Sequence, residues 1–151
     1  MDIKRKKHII LSLVIIFLLC SIVIISYAAP YIRNSLRSVE KVYETNWNIA
    51  FPPNMKLLYD KKTSSFHGDG MRHTIYSVSK TEEYFLSFSN ISNDELEKSC
   101  LGISSDLEDK QSYVPDFELE YVWKKYKKYS NTLIIVYFIE ENELHLFQQL
   151  M

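Results

Sequence analysis

"YVWKKYKKYSNTLIIVYFIEENELHLFQQL", residues Tyr121 to Leu150, is the stretch whose reading decides the fold. Its second half is the plainer part. "LIIVYFI", Leu133 to Ile139, is a short apolar run of β-branched and aromatic side chains, the pattern of a buried strand. Glu140–Asn142 then makes a turn. "ELHLFQQL" alternates, with Leu144, Leu146 and Gln148 against His145, Phe147 and Gln149. The opening "YVWKKYKKY" admits two conformations. As a helix it would place Leu119, Val122, Tyr126 and Tyr129 on one face. As a strand its aromatics and valine fit the pleat, and Ser130-Asn131 supplies a two-residue turn into the next strand. The strand is the better choice, because the two segments downstream already form a hairpin and aromatic residues dominate. Three antiparallel strands in a meander follow.

Upstream, "MKLLYD" reads as a short strand, "KKTSS" as a polar loop and "MRHTIYSV" as a second strand. "TEEYFLSFS" opens a helix that Thr81 can cap, with two acids in its first turn. "SNDELEKSCL" offers a capping box, Ser92 with Glu95, for a short helix that Gly102 can end. "ISSDLEDKQSY" reads as a loop. The expected domain is therefore α+β: an antiparallel sheet of about five strands, an N-terminal helix, and short helices between strands 2 and 3.

That N-terminal helix is "YIRNSLRSVEKVYETNW", where Ile32, Leu36, Val39, Tyr43 and Trp47 recur at helical spacing. Pro30 precedes it, and "FPPN", Phe51 to Asn54, stops it. The stripe predicts a stalk or packing helix over residues 30–50. Arg33, Arg37 and Lys41 would alternatively let it lie on a lipid surface. Residues 51–151 form the domain proper.

The first residues set the expected compartment. Ile9–Tyr27, "IILSLVIIFLLCSIVIISY", holds no charge, proline or glycine. Nineteen helical residues span roughly 28 Å, close to the thickness of a bilayer core. Residues 9–29 are expected to be a transmembrane anchor. "SYAAP" also offers a signal-peptidase cut after Ala28, but the apolar run exceeds an ordinary signal core. Lys4, Arg5, Lys6 and Lys7 mark residues 1–8 as a cytoplasmic flank. The rest would then lie outside, a single-pass topology at the cell membrane.

Without residues 1–30 the chain has 14 basic and 18 acidic side chains, a net of −4. A mildly acidic domain is a poor nucleic-acid binder, and no nucleic-acid partner is expected. Cys20 lies in the apolar run and Cys100 in the domain, so neither an internal disulfide nor a cysteine zinc site is expected. No cofactor motif is present.

"SFHGDGMRHTIYS" is the stretch that looks built for chemistry. Asp69-Gly70 is a hairpin-turn dipeptide and Gly68 adds freedom for positive φ, so Phe66, Gly68, Asp69 and Gly70 read as a structural turn. His67, Asp69 and His73 are the candidate metal ligands, imidazole and carboxylate both suiting zinc or another transition ion. In "WKKYKK" the residues Trp123, Lys124, Lys125, Tyr126, Lys127 and Lys128 could meet an anionic polymer by charge and stacking. With lysines on both faces they also read as an edge strand that resists unwanted pairing. No nucleophile–base set is visible for catalysis.

"LYD", "SFHGDGMRHTIYS", "VPDFELEYVWKKY" and "LIIVYFIEENELHLF" together resemble a group of small single-pass envelope proteins of low-GC Gram-positive bacteria. The resemblance covers roughly residues 51–150, and its sharp motif is Phe66-His67-Gly68-Asp69-Gly70. It implies a location and a fold, and no activity. The expected function is a membrane-anchored, extracytoplasmic module that binds an envelope protein, peptide or polymer. The alternatives are a tethered metal-dependent hydrolase using His67, Asp69 and His73, and an immunity-type protein.

Overall fold

A computed structural model of the chain describes residues 16–17, 20–22, 38–63, 69–79 and 82–151. The chain divides into two compact units, residues 1–43 and 44–151. In the first, residues 16–17 and 20–22 are helical, and Ser21 Oγ donates to the Phe17 carbonyl at 2.9 Å. Most of the expected anchor 9–29 and residues 30–37 of the expected stalk lie outside the described residues. Among the described residues no helix is long and apolar enough to cross a membrane.

Helix α1 runs Val39–Trp47. Ser38 starts it: its hydroxyl accepts from Lys41 N at 3.3 Å, and its carbonyl accepts from Val42 N. Asn48, at φ 53, takes the left-handed position that ends the helix.

The second unit is an α+β domain with one five-stranded antiparallel sheet in the order β1-β2-β5-β4-β3. The strands are β1 (Lys56–Lys62), β2 (Gly70–Ser77), β3 (Tyr121–Lys128), β4 (Asn131–Phe138) and β5 (Glu143–Leu150). Helix α2 is the single turn Glu82–Phe85, α3 is Asp94–Asp106, and a 3-10 turn spans Gln111–Tyr113. The meander expected from Tyr121 to Leu150 is present, with Lys128 opposite Asn131 and Phe138 opposite Glu143. The first of its turns is Tyr129-Ser130, one residue earlier than Ser130-Asn131. Asn131 is needed in the ladder: its Oδ1 accepts from Met151 N at 2.9 Å, while Ser130 Oγ donates to the Met151 carbonyl. Tyr129 therefore takes φ 58.

Strand β5 lies in the middle of the sheet, between β2 and β4, and both of its faces are covered, so residues 144–148 are all buried. On one face α3 sets Leu96, Cys100, Ile103 and Leu107, a helical stripe, on Tyr121, Ile134, Val136, Phe138 and Phe147. On the other face Phe85 stacks on Tyr137 with ring centroids 3.9 Å apart, and Phe51 tilts against Tyr76. The α3 stripe explains two departures from expectation. The cap is Asn93, whose side chain accepts from Leu96 N at 3.0 Å, while Ser92 Oγ bonds Glu97. Gly102 does not end the helix, because burying Ile103 and Leu107 outweighs the roughly 1 kcal/mol that a mid-helix glycine costs.

β1 continues through Lys62, into the stretch expected to be loop, and Thr63 N still donates to the Met71 carbonyl at 3.0 Å. Asp69 and Gly70 therefore close a longer connection rather than forming a two-residue turn, and Gly70 is the first residue of β2. A Cβ on Gly70, at φ 157, would meet Thr63 Oγ1 at 2.8 Å, and that oxygen is already held by Met71 N. Around Gly102 nothing lies within 4 Å of an added Cβ. The two glycines should respond oppositely to alanine in urea unfolding. Gly70→Ala is expected to destabilise by about 1–3 kcal/mol. Gly102→Ala is expected to stabilise by about 0.5–1 kcal/mol.

Candidate functional site

The polar groups with the most specific geometry are inside the sheet. His73 on β2 and His145 on β5 sit on the α3 face among Ile75, Phe147 and Phe138. A β-bulge between Leu57 and Tyr59 puts Tyr59 opposite Ile75, on the same face. After α3, Glu108 turns through φ 51 and Asp109 N donates to the Ser104 carbonyl, which lowers the Asp109 carboxylate onto the sheet. Lys61 Nζ donates to the Glu108 carbonyl at 2.8 Å and clamps the same turn to β1.

One hydrogen-bonded chain results. Tyr59 OH donates to Asp109 Oδ1 at 2.6 Å, and Asp109 Oδ2 lies 2.6 Å from His73 Nδ1. His73 Nε2 is 3.2 Å from His145 Nδ1, and His145 Nε2 is 3.4 Å from Glu143 Oε2. The His73 and Asp109 side chains are 0% exposed, His145 4% and Glu143 32%, so only the Glu143 end of the imidazole chain reaches water. The His73 ring stacks on Phe147 at 4.2 Å and Tyr59 stacks on Tyr113 at 4.1 Å, which fixes both ring planes.

Counting protons shows what this chain holds. The carboxylates at its two ends accept only. The three contacts between them need three N–H groups, and two neutral imidazoles carry one each. One additional proton on the histidine pair completes every bond. Without it, one contact sets acceptor against acceptor. A second additional proton is opposed: burial pushes His145 below its ordinary value, a charge on His73 pushes the same way, and the bond to Glu143 only partly offsets them. For Asp109 burial acts upward, but the hydrogen bonds from His73 and Tyr59 outweigh it and hold the carboxyl below its ordinary range. Burial, then the bond to Asp109, pushes the Tyr59 phenol up.

Of the candidate metal ligands, His67 lies outside the described residues, Asp69 is exposed beside the start of β2, and both nitrogens of His73 are engaged by Asp109 and His145. A metal at His73 would have to displace one of these partners. Among the described residues no group of three or more His, Cys, Asp or Glu is placed to hold a metal ion. Of the turn residues, Phe66 and Gly68 lie outside the described residues. Cys100 is buried against the sheet, and burial pushes its thiol up, away from the reactive thiolate.

The lysine-rich segment is the edge strand β3. Its outer edge is partly covered, since Ser89 and Trp123 exchange backbone bonds at 2.8 Å and Trp123 Nε1 donates to the Ile91 carbonyl. Lys124 Nζ donates to Ser87 Oγ and lies over the rings of Phe88 and Tyr126. Lys128 Nζ donates to the Asn46 carbonyl at 3.0 Å. Lys125 and Lys127, on the face opposite to these two, are exposed. At the end of this strand lies an open cavity of about 290 Å³, lined by Asn46, Trp47, Lys128, Tyr129, Asn131 and Gln148 among others.

Sequence reasoning missed His145, Asp109, Tyr59 and Glu143. The available signal was a histidine in each of two strands at positions that the apolar pattern buries, since buried polar groups need partners. Nothing in the sequence singles out Asp109 among the acids of its segment. Against known proteins, no family model matches the chain, and neither a curated protein nor a solved structure matches it significantly.

Proposed function

We propose that the chain is a membrane-anchored, extracytoplasmic binding module of a bacterial envelope. Residues 9–29 would lie in lipid, the basic flank inside, and the sheet domain outside, facing an envelope protein, peptide or polymer. The uncharged run Ile9–Tyr27 behind four basic residues supports the location, and so does the resemblance carried by residues 66–70.

The observation that carries the binding reading is how polar side chains are divided. Histidines and Asp109 face one another inside the sheet, where no substrate can approach them. Lys125, Lys127 and Tyr129 open to solvent along one edge strand, and Tyr129 also lines the cavity at its end. Exposed cations and aromatics beside a concave surface suit recognition rather than bond breaking.

A photo-crosslinking residue in place of Tyr129, which is 95% exposed, tests this in living cells. One recurrent adduct with an envelope component is expected. Adducts with cytosolic components only, or none beyond those from a probe at exposed Glu118, would contradict the reading.

A further inference from the structure

We infer that the outer edge of β1 docks an extended, acidic peptide segment of another protein as a further strand of the sheet. This goes beyond the binding surface proposed above, which lies at the opposite edge, on β3.

The two edges of the sheet are not equivalent. On β3, Ser89 and Trp123 exchange backbone bonds, and Lys124 and Lys128 are tied to neighbouring segments. On β1, among the described residues, no backbone bond reaches the outer side. The register says which groups are left over. Thr63 N donates inward to the Met71 carbonyl, and residues of an antiparallel ladder alternate between bonding the partner strand and facing away from it. Lys61, opposite His73, therefore bonds β2. Asp60 and Lys62, opposite Thr74 and Arg72, turn their N–H and C=O groups outward. Such an open row is a template for one more strand.

The side chains set the chemistry of that strand. β1 reads Lys56-Leu57-Leu58-Tyr59-Asp60-Lys61-Lys62. Its one acid is already matched: Arg72 holds both Asp60 oxygens at 2.7 and 2.8 Å, and Thr74 Oγ1 donates to Oδ1 at 2.8 Å. Lys61 is occupied with the Glu108 carbonyl. Lys56 and Lys62 stay exposed, so the edge offers a neighbour positive charge. Leu57 and Leu58, 42% and 40% exposed, add apolar surface beside it. A second copy fits badly. Antiparallel along the whole strand, it would set Lys56 opposite Lys62, and parallel in register it would set each lysine against itself. Like charges directly opposite are destabilising. The lysines that keep two copies apart are complementary to a strand that carries Glu or Asp. The bulge between Leu57 and Tyr59 interrupts the ladder, so the regular pairing lies on its C-terminal side, at Asp60 and Lys62.

The test follows backbone amide exchange by NMR in the full-length chain in detergent micelles. Without peptide, the Asp60 and Lys62 amides should exchange at least about tenfold faster than those of Lys61 and Thr63. Millimolar acetyl-Glu-Val-Glu-Val-Glu-Val-amide should slow the first two about tenfold, and the same peptide with lysine in place of glutamate should not. Lys62→Glu should weaken the acidic peptide about tenfold. Lys62→Met removes the charge, and Lys62→Pro removes the charge and the outward N–H. Proline is tolerated at an edge, so Lys62→Pro should keep the fold and bind about fivefold more weakly than Lys62→Met. Four results would overturn the inference: Asp60 and Lys62 amides already slow in dilute protein without peptide, protection that grows with protein concentration and so reports a second copy, an equal response to the lysine peptide, or unchanged affinity in Lys62→Glu. Capture through the Tyr129 probe reports on the other edge, so this inference and the binding surface on β3 can each fail alone.

Discussion

Replacing Asp109 with alanine is expected to lower the unfolding free energy by about 3–5 kcal/mol, as for a buried ion pair that loses one partner. Asp109 and His73 side chains are both 0% exposed, so no water takes the carboxylate's place at His73 Nδ1 or Tyr59 OH. The change also frees the turn after α3, which Asp109 ties to β1 and β2. Tyr59→Phe should cost less, about 1.5–3 kcal/mol, because it removes one bond to a charged acceptor and leaves the Tyr113 stack. The double variant should cost less than the sum, since both singles break the same bond. Urea unfolding followed by tryptophan fluorescence checks all three. A loss below about 1 kcal/mol for Asp109→Ala would mean that the chain of bonds contributes little to the fold.

Acid should unfold the domain in two stages, and the signs follow from the two depressed groups. His145 is held below its ordinary 6.5, chiefly by burial. The unfolded chain therefore binds its proton first, and stability falls as pH drops from 6.5 toward the folded value. Asp109 is held below its ordinary 3.8 by His73 and Tyr59 against the upward effect of burial, so its contribution is present above that pH and lost on further acidification. The first stage should show a slope of up to about 1.4 kcal/mol per pH unit, the value for one proton. Tyr59 gives an alkaline limb: with its phenol raised by burial and by Asp109, its stabilisation is present below pH 10 and lost as pH climbs beyond that. In His145→Gln the domain should be weaker at neutral pH, and the fall in stability as pH drops below 6.5 should flatten. An unchanged slope would place the acid transition elsewhere. The two histidines interact directly, so the apparent midpoints belong to the pair.

Local chemistry made part of this architecture legible. The run Leu133–Phe138 reads as strand because β-branched and aromatic side chains fill it, and its lack of alternation already implies cover on both faces. The lysines of β3 announce an edge. What failed were choices between near-equivalents. Asn93 and Ser92 are comparable caps, and only the register that buries Leu96, Cys100, Ile103 and Leu107 together selects Asn93. Gly102 reads as a stop until that same stripe is seen to continue past it.

The buried chain was not legible for a different reason. His73 meets Asp109 across 36 positions and His145 across 72. The turn after α3 decides the first meeting and the sheet order the second, and neither leaves a mark in local sequence. The opening motif drew attention to His73 for its neighbours in sequence, whereas its neighbours in space explain it. The cavity is equally non-local, joining the end of α1 to the turn after β3 and the end of β5.

The most direct test of this account is the imidazole 15N–1H spectrum of the full-length chain, with His73 and His145 assigned by single substitutions to glutamine. Two rings joined by hydrogen bonds should appear, with a strongly deshielded, slowly exchanging Nδ1–H on His73 that vanishes in Asp109→Ala. Two independent rings with fast-exchanging protons would contradict it.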